Sequence, residues 1–285
     1  MHHITDYEYG ARVVSGHTIA HLKARSTPFQ RVISSVVTTD PVADHSDEHF
    51  DSFGNVVSYF AFERNHRHLR VESISEVEVV VGTLPSWSGA WDSAATAIAA
   101  ESTYDALLAR ICSQPSPMVD LSDALVELAR PSFPVGRPLH ECIMELTRRI
   151  NQEFTFDPGV TDVATPLSDV LAARRGVCQD FAHLGIGCLR SLGLSARYVS
   201  GYIETEPLEG FPRLVGADAS HAWLSVYIPG FGWLDADPTN DQVPPNRHVT
   251  VAWGRDYGDV APVRGVAFGP PATQQLSVSV DVARL

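Results

Sequence analysis

The spacing of hydrophobic and polar residues changes once along the chain, across residues 82–89. Before this point, β-branched and aromatic residues occur in short runs separated by turn signals such as Asp51–Asn55, a pattern typical of antiparallel strands. Five strands are predicted: Tyr7–Val14, Ile19–Ala24, Arg31–Thr38, Val56–Glu63 and Leu69–Val81. Five or six short strands favour a sandwich or a small barrel.

After a Gly- and Pro-containing linker, apolar residues recur every three or four positions, which indicates helices. Helices are predicted at Ser93–Ala100, Thr103–Cys112, Leu121–Ala129, Leu139–Phe154, Asp169–Arg174 and from Cys178 to Gly193. Strands are predicted at Arg197–Ile203, Ala222–Ile228, Trp233–Asp237 and Gln274–Ala283. We therefore expect an α+β chain with domains at 1–82 and 90–285, and a loop through Pro207, Gly210 and Pro212 bordering a substrate cleft.

Cys178 occupies a position that suits a nucleophile. It follows a glycine and begins a helical segment in which Phe181, Leu184, Cys188 and Leu192 share one face. The unpaired N–H groups and partial positive charge of a helix start favour the thiolate over the thiol. The Cys178 N–H is also a natural donor to an oxyanion.

Two further reactive residues, His221 and Asp237, lie downstream on a predicted hairpin that turns at Pro229–Gly232. Folding about this turn brings Asp237 opposite or diagonal to Ser220–Trp223, where cross-strand side chains lie about 5–8 Å apart. A cysteine nucleophile, a histidine base and an aspartate that orients the histidine are the three roles that thiol acyl transfer needs.

Nearby residues compete for these roles. Helix geometry turns His183 and Asp180 away from Cys178, so His183 is expected to be structural and Asp180 to complement the helix dipole. Asp235 competes with Asp237 as the orienting acid. Asp237 is preferred because a proline ends the strand directly after it, where site residues collect.

Composition narrows the function classes. The chain has 285 residues, 44% of them hydrophobic, and a formal charge of −13, which disfavours nucleic acid and anionic membranes as partners. The N-terminus lacks the features of a signal peptide and no run of about 18 apolar residues occurs, so we expect a soluble cytoplasmic protein.

No cofactor or metal is expected. The four widely spaced cysteines match neither a disulfide scaffold nor a CxxC zinc site and are expected to be free thiols, with Cys188 a core residue. His140-Glu141 starts like an HExxH zinc motif, but Met144 stands where the second histidine is needed. No alternating-acid calcium loop occurs.

Three blocks, Gly176–Leu184, Ser220–Trp223 and Gly232–Asn240, resemble the catalytic blocks of the transglutaminase-like superfamily in its bacterial form. The region containing Gln30-Arg31-Val32, Asp51–Asn55 and His68-Leu69 resembles the β domain that precedes the catalytic core in those proteins. The resemblance implies a papain-like α+β core and a triad of Cys178, His221 and Asp237. The superfamily includes cross-linking enzymes, peptidases and other amide hydrolases.

The sequence therefore predicts a cysteine-dependent peptidase or amidase, or an acyltransferase, that acts on peptide or amide substrates. A cross-linking transglutaminase is less favoured, because cross-linking needs a second site for an amine and no residues indicate one. A non-catalytic binding or assembly protein is the alternative from another class. The sequence does not determine the oligomeric state.

Overall fold

The computed structural model describes residues 1–80, 82–85, 89–204, 220–243, 245–270 and 273–285. The predicted cleft loop through Pro207, Gly210 and Pro212 lies outside these residues. The remainder forms a β-sandwich joined to a mixed α/β core, as the sequence predicted. Among the described helices, none combines the length and the apolar character needed to cross a membrane.

The sandwich consists of two antiparallel sheets, each with a strand from the end of the chain at one edge. The N-terminal strands are β1 (His2–Val13), β2 (Ser15–Ala20), β3 (Gln30–Asp40), β4 (His45–Phe50), β5 (Val56–Phe62) and β6 (His66–Val79). The late strands are β13 (Val263–Phe268) and β14 (Gln274–Asp281). The strand orders are β14-β1-β6-β3 and β13-β2-β5-β4.

Apolar residues from both sheets pack into one cluster. Phe62 lies on β5 of the second sheet, and Leu22 lies just after β2 of that sheet. Leu69 and Val71 lie on β6 of the first sheet. All four side chains are at most 3% exposed. This packing confirms the predicted antiparallel sandwich, because alternate residues of each strand face a shared interior.

The two late strands pair with the N-terminal strands rather than with the α/β core. β14 pairs with β1, with His2 opposite Asp281, and β13 pairs with β2, with Val263 opposite Ala20. The division at 1–82 and 90–285 stays a prediction, but it assigns β13 and β14 to the core although their hydrogen bonds lie in the sandwich. Strand pairing across more than 200 residues has no local signature in the sequence.

Helices fill the middle of the chain. They are α1 (Trp91–Ala100), α2 (Tyr104–Ile111), α3 (Asp123–Ala129), α4 (Leu139–Glu153), α5 (Leu167–Ala173), α6 (Cys178–Ser191) and a short α7 (Tyr257–Val260), with a 3-10 turn at Arg130–Ser132. Ser122 caps α3 through the Leu125 N–H, as expected for this residue type. Gly193 follows α6 with a φ of 78°, the left-handed conformation in which a glycine commonly ends a helix.

The core sheet has the order β11-β10-β9-β12 and supports α6. Its strands are β9 (Ala196–Ile203), β10 (Ser220–Ile228), β11 (Gly232–Ala236) and β12 (His248–Gly254). A short parallel pair, β7 (Thr155–Phe156) and β8 (Arg175–Gly176), leads into α6. The α6 helix lies close to β10, because a Cβ on Gly185 would be 2.4 Å from Leu224 Cδ2.

Several contacts between the sandwich and the core sheet involve β12. The Asn55 side chain, in the predicted Asp51–Asn55 turn, donates to the Trp253 carbonyl at 2.8 Å and accepts the Trp253 N–H at 3.0 Å. Gln30 similarly donates to the Thr250 carbonyl at 2.7 Å and accepts its N–H at 2.9 Å. The sandwich therefore holds β12 in place, and β12 carries a residue of the candidate site.

Candidate active site

The α6 helix begins at Cys178, and Asp180 fixes this start. Asp180 Oδ2 accepts the Val177 N–H at 2.8 Å and the Thr161 hydroxyl at 2.6 Å. A Cβ on Gly176 would lie 2.6 Å from this oxygen, so glycine is needed for the packing. Cys178 is a half-buried free thiol. As the first helical residue it has a backbone N–H without an intrahelical acceptor.

His221 lies on β10 and is paired with Asp237. Its Nε2 is 2.8 Å from Asp237 Oδ2, and its ring is stacked on Trp223 with centroids 6.0 Å apart. Burial favours the neutral ring, but hydrogen bonds with Asp237 and Cys178 outweigh burial and raise the pKa of His221 to about 9. The imidazole thus links the thiol to the carboxylate and is protonated at neutral pH.

Asp237 is completely buried directly after β11 and accepts a dense set of hydrogen bonds. Its Oδ1 accepts the Thr239 N–H at 2.9 Å, and its Oδ2 accepts the Asn240 amide at 2.7 Å and the His221 ring N–H. Burial alone would raise the pKa of Asp237, but the hydrogen bonds from His221 and His248 hold it well below its ordinary value. The carboxylate is therefore charged and fixed in position.

His248, on β12, is a site residue that the sequence analysis did not identify. Its Nε2 is 2.7 Å from the same Asp237 Oδ2, and its ring meets the Trp223 indole edge-on with centroids 4.9 Å apart. Burial, together with the nearby His221 charge, lowers the pKa of His248 despite the contact with Asp237. The two histidines on one carboxylate therefore take different protonation states, His221 charged and His248 neutral.

The β-branched run that follows His248 could have predicted a strand. It could not have predicted the neighbour of His248, because β12 reaches Asp237 only through its pairing with β9, which begins about 50 residues earlier. The contact between His248 and Asp237 therefore depends on the order of the strands in the core sheet.

His221, Asp237 and His248 are residue types that could hold a metal ion. Each histidine nitrogen lies 2.7–2.8 Å from Asp237 Oδ2, which is the distance of an N–H···O hydrogen bond. Two ligands about 2.0–2.1 Å from one tetrahedral ion lie about 3.3 Å apart. The geometry therefore favours a hydrogen-bonded cluster.

The competing candidates occupy other positions. Asp235 Oδ2 accepts the Trp223 indole N–H at 3.1 Å, so Asp235 supports the ring on which His221 is stacked. His183 is buried and accepts the Tyr257 N–H at 3.1 Å. Burial lowers its pKa to about 4. The structural role predicted for His183 agrees with this contact, and the predicted core position of Cys188 agrees with its complete burial.

The structure brings Cys178, His221 and Asp237 together as the sequence predicted, and adds His248 behind Asp237. Their roles in a reaction stay predictions. The arrangement offers a thiol, an imidazole that can carry its proton, and a carboxylate that fixes the imidazole tautomer.

Comparisons with known proteins match both parts of the chain. The model of the transglutaminase-like superfamily core matches residues 134–238, and that of the bacterial transglutaminase-like N-terminal region matches residues 1–78. The structure is similar to a crystal structure from Cytophaga hutchinsonii described as a "Putative Cysteine Protease", with a TM-score of 0.68 and 23% identity over 100% of this chain and 92% of that chain. This similarity supports the papain-like fold.

Two sequence relatives differ in how much they cover. An uncharacterized protein of Mycobacterium tuberculosis (strain H37Rv) is 39% identical over 98% of this chain and 90% of its own length. A Pseudomonas aeruginosa protein named protein-glutamine gamma-glutamyltransferase is 34% identical over 37% of this chain and 16% of its own length. From these matches, the chain belongs to the transglutaminase-like superfamily, with the bacterial N-terminal region preceding the core.

Proposed function

We propose that this protein is a cysteine-dependent amide hydrolase or acyltransferase in which Cys178 is the nucleophile, His221 exchanges its proton and Asp237 orients His221. The observation that carries the proposal is the buried His221–Asp237 pair, 2.8 Å apart, hydrogen-bonded to a thiol at a helix start. The superfamily and its fold support a peptide or amide as the substrate.

The reaction begins from a thiolate–imidazolium pair. Because the pKa of His221 is about 9, its ring is protonated at neutral pH while it is hydrogen-bonded to Cys178. The sulfur attacks the amide carbonyl carbon, and the carbonyl oxygen takes up negative charge. The Cys178 N–H at the start of α6 is placed to donate to that oxygen.

Collapse of the intermediate breaks the C–N bond. His221 gives its proton to the departing amine, and the acyl group remains on Cys178 as a thioester. A water or a second amine, deprotonated by His221, then attacks the thioester carbon. The acid or new amide leaves, and the thiolate–imidazolium pair is restored.

Hydrolysis is the preferred outcome, and cross-linking is the second candidate. The P. aeruginosa relative, named for glutamyl transfer, favours the second over its matched region. The test is mass spectrometry of a glutamine-containing peptide library incubated with and without a primary amine. Hydrolysed products in both reactions support the amidase, whereas amine adducts without hydrolysis support the acyltransferase.

Iodoacetamide labelling tests the thiol separately from the substrate. The other cysteines, Cys112, Cys142 and Cys188, are at most 1% exposed, so the folded protein reports on Cys178. We expect rapid labelling at about pH 6, well below the ionisation range of an ordinary thiol. His221→Gln should move the labelling profile toward that of an ordinary thiol, near pH 8.5.

If wild type and His221→Gln give the same labelling profile, the thiol is not activated by His221. A binding or assembly role would then be the better reading. A cytoplasmic location is part of the same proposal and would be tested by fractionation of cells that express the full chain.

A further inference from the structure

A cavity of about 220 Å³ lies on the face of the core sheet opposite α6. Leu224 of β10 faces α6, so Ser225 and its cross-strand partners Arg197 and Asp235 face the other side. Residues 27–30 of the sandwich also line the cavity. Cys178 and His221 are not among its lining residues, so it is distinct from the space around the thiol.

The cavity contains a buried arginine whose Nε has no hydrogen-bond partner among the described residues. Arg197 is 5% exposed and lies between the rings of Trp233 and Trp253, with its guanidinium carbon 4.0 Å and 3.6 Å from their centroids. The indoles cover the two faces of the guanidinium, whereas its N–H groups point outward in its plane. They make no hydrogen bond or ion pair within the described part of the chain.

Arg190 shows what a structural buried arginine looks like in this protein. It is 2% exposed and its guanidinium donates to the Cys112, Ala196 and Arg255 carbonyls and to the Ser116 hydroxyl. A buried guanidinium without acceptors is unfavourable. The contrast indicates that Arg197 can take an acceptor that the described residues do not supply.

The planar N–H fork of arginine matches a carboxylate. The same cavity is also lined by a carboxylate, Asp235, whose one hydrogen bond to the described residues is accepted by Oδ2 from the Trp223 indole N–H. Arg197 and Asp235 both pair with Ser225, so they lie two strands, about 9–10 Å, apart at their backbones. No ion pair joins them among the described residues, and the space between them suits a molecule with both charges.

We propose that this cavity is a binding site for a free amino acid, with its carboxylate on Arg197, its ammonium on Asp235 and its side chain against the indole rings. The carboxylates of Asp235 and Asp105, which also line the cavity, disfavour a multiply charged anion. Two described residues connect the cavity with the candidate active site: His248, which contacts Asp237, and Asp235, which accepts the indole N–H of the Trp223 ring on which His221 is stacked.

Isothermal titration calorimetry of the full chain tests the proposal with L-alanine and L-phenylalanine. Two analogues, 3-phenylpropanoate and 2-phenylethylamine, each lack one of the charges of phenylalanine. We expect at least one amino acid to bind. For phenylalanine, each analogue should bind about tenfold or more weakly, because each loses a charge-assisted hydrogen bond.

Asp235→Asn is the main variant, because residue 235 is half-buried and the amide oxygen can still accept the Trp223 N–H. It should weaken amino-acid binding about tenfold or more, and Arg197→Lys should do the same if it folds. Asp47→Asn, at an exposed position on β4, is the matched control and should bind as wild type does.

Three results would overturn the site: no binding of either amino acid to folded wild type, equal binding of phenylalanine and its analogues, or wild-type binding by Asp235→Asn. Alkylation of Cys178 before titration locates the ligand. Binding that survives alkylation supports the cavity, whereas binding lost on alkylation places the amino acid beside the thiol and rejects the proposal. None of these measurements needs turnover, so the result does not depend on the proposed reaction.

Discussion

Two of the histidine–aspartate pairs in this protein, one in the sandwich and one in the core, differ in their exposure and in the other partners of the carboxylate. In the sandwich, His68 Nε2 lies 3.1 Å from Asp6 Oδ1, with 33% and 21% of the two side chains exposed. In the core, the distance from His221 to Asp237 is 2.8 Å, and the exposed fractions are 7% and 0%. Exposure decides how strongly each charge acts on its partner.

The partners of the two carboxylates differ as well. Asp6 is held by Arg70, whose hydrogen bonds of 2.8 Å and 2.9 Å are the main reason that the pKa of Asp6 is lowered. Asp237 receives two histidines in a dry environment, and one of them contacts a thiol. The same two residue types thus make a partly exposed hydrogen bond in one region and a potential proton relay in the other.

Replacing each carboxylate by its amide tests the difference between the two pairs most directly. Asp237→Asn should lower the rate of amide cleavage by about 10³- to 10⁴-fold, because the amide cannot hold the charged imidazolium or its tautomer. Asp6→Asn should leave the rate within about twofold, since surface ion pairs contribute about 0–1 kcal/mol. Steady-state kinetics on a peptide identified from the library measures both.

Thermal unfolding is the control for these variants. A folded Asp237→Asn protein that keeps most of its activity would remove Asp237 from the mechanism. A large loss in Asp6→Asn would show that the sandwich acts on the site in a way that the contacts do not explain.

The sequence was sufficient for the parts of the site that depend on local order. Helical spacing after Gly176 placed Cys178 at a helix start, and the turn at 229–232 placed His221 and Asp237 on one hairpin. The sequence was insufficient for the parts of the structure that depend on pairing between strands far apart in the chain. His248 reaches Asp237 only through the order of strands in the core sheet, and β13 and β14 join the sandwich across more than 200 residues.

The sequence analysis did not predict strand β4, for a different reason. All six of its residues, His45–Phe50, are exposed, so no alternation of buried and exposed side chains marks it. Its backbone pairing with β5 at a sheet edge holds it in place.

Buried histidines should make the folded protein sensitive to acid. Burial lowers the pKa of His3 and of His183 to about 4, and lowers that of His248. Below about pH 6.5 the unfolded chain binds protons that the folded chain does not. The free energy of unfolding should therefore fall toward pH 4 by up to about 1.4 kcal/mol per pH unit for each histidine.

His221 affects the free energy of unfolding in the alkaline pH range. Its folded pKa, about 9, lies above its unfolded value, so its contribution is complete below about pH 6.5 and is lost as the pH rises through about 9. Urea unfolding at a series of pH values measures both limbs. His183→Gln, whose side-chain oxygen can accept the Tyr257 N–H, should make the acid limb shallower by about one proton.

His68→Gln in the exposed pair is the matched control and should leave the acid limb unchanged. Parallel acid limbs in wild type and His183→Gln would mean that burial of His183 does not suppress its protonation.

The smallest expected effect concerns the histidine behind Asp237. His248→Gln keeps an N–H for Asp237 in a less fixed side chain, so the rate should fall by about tenfold or less. A weaker donor leaves more negative charge on Asp237 for His221, which should raise the pKa of His221 and shift the alkaline limb of the pH–rate profile upward from about pH 9. A merely structural role would lower the rate or the stability without moving that limb. An unshifted limb in a folded His248→Gln protein would show that the second histidine does not tune the first, and that the raised pKa of His221 comes from its own hydrogen bonds with Asp237 and Cys178.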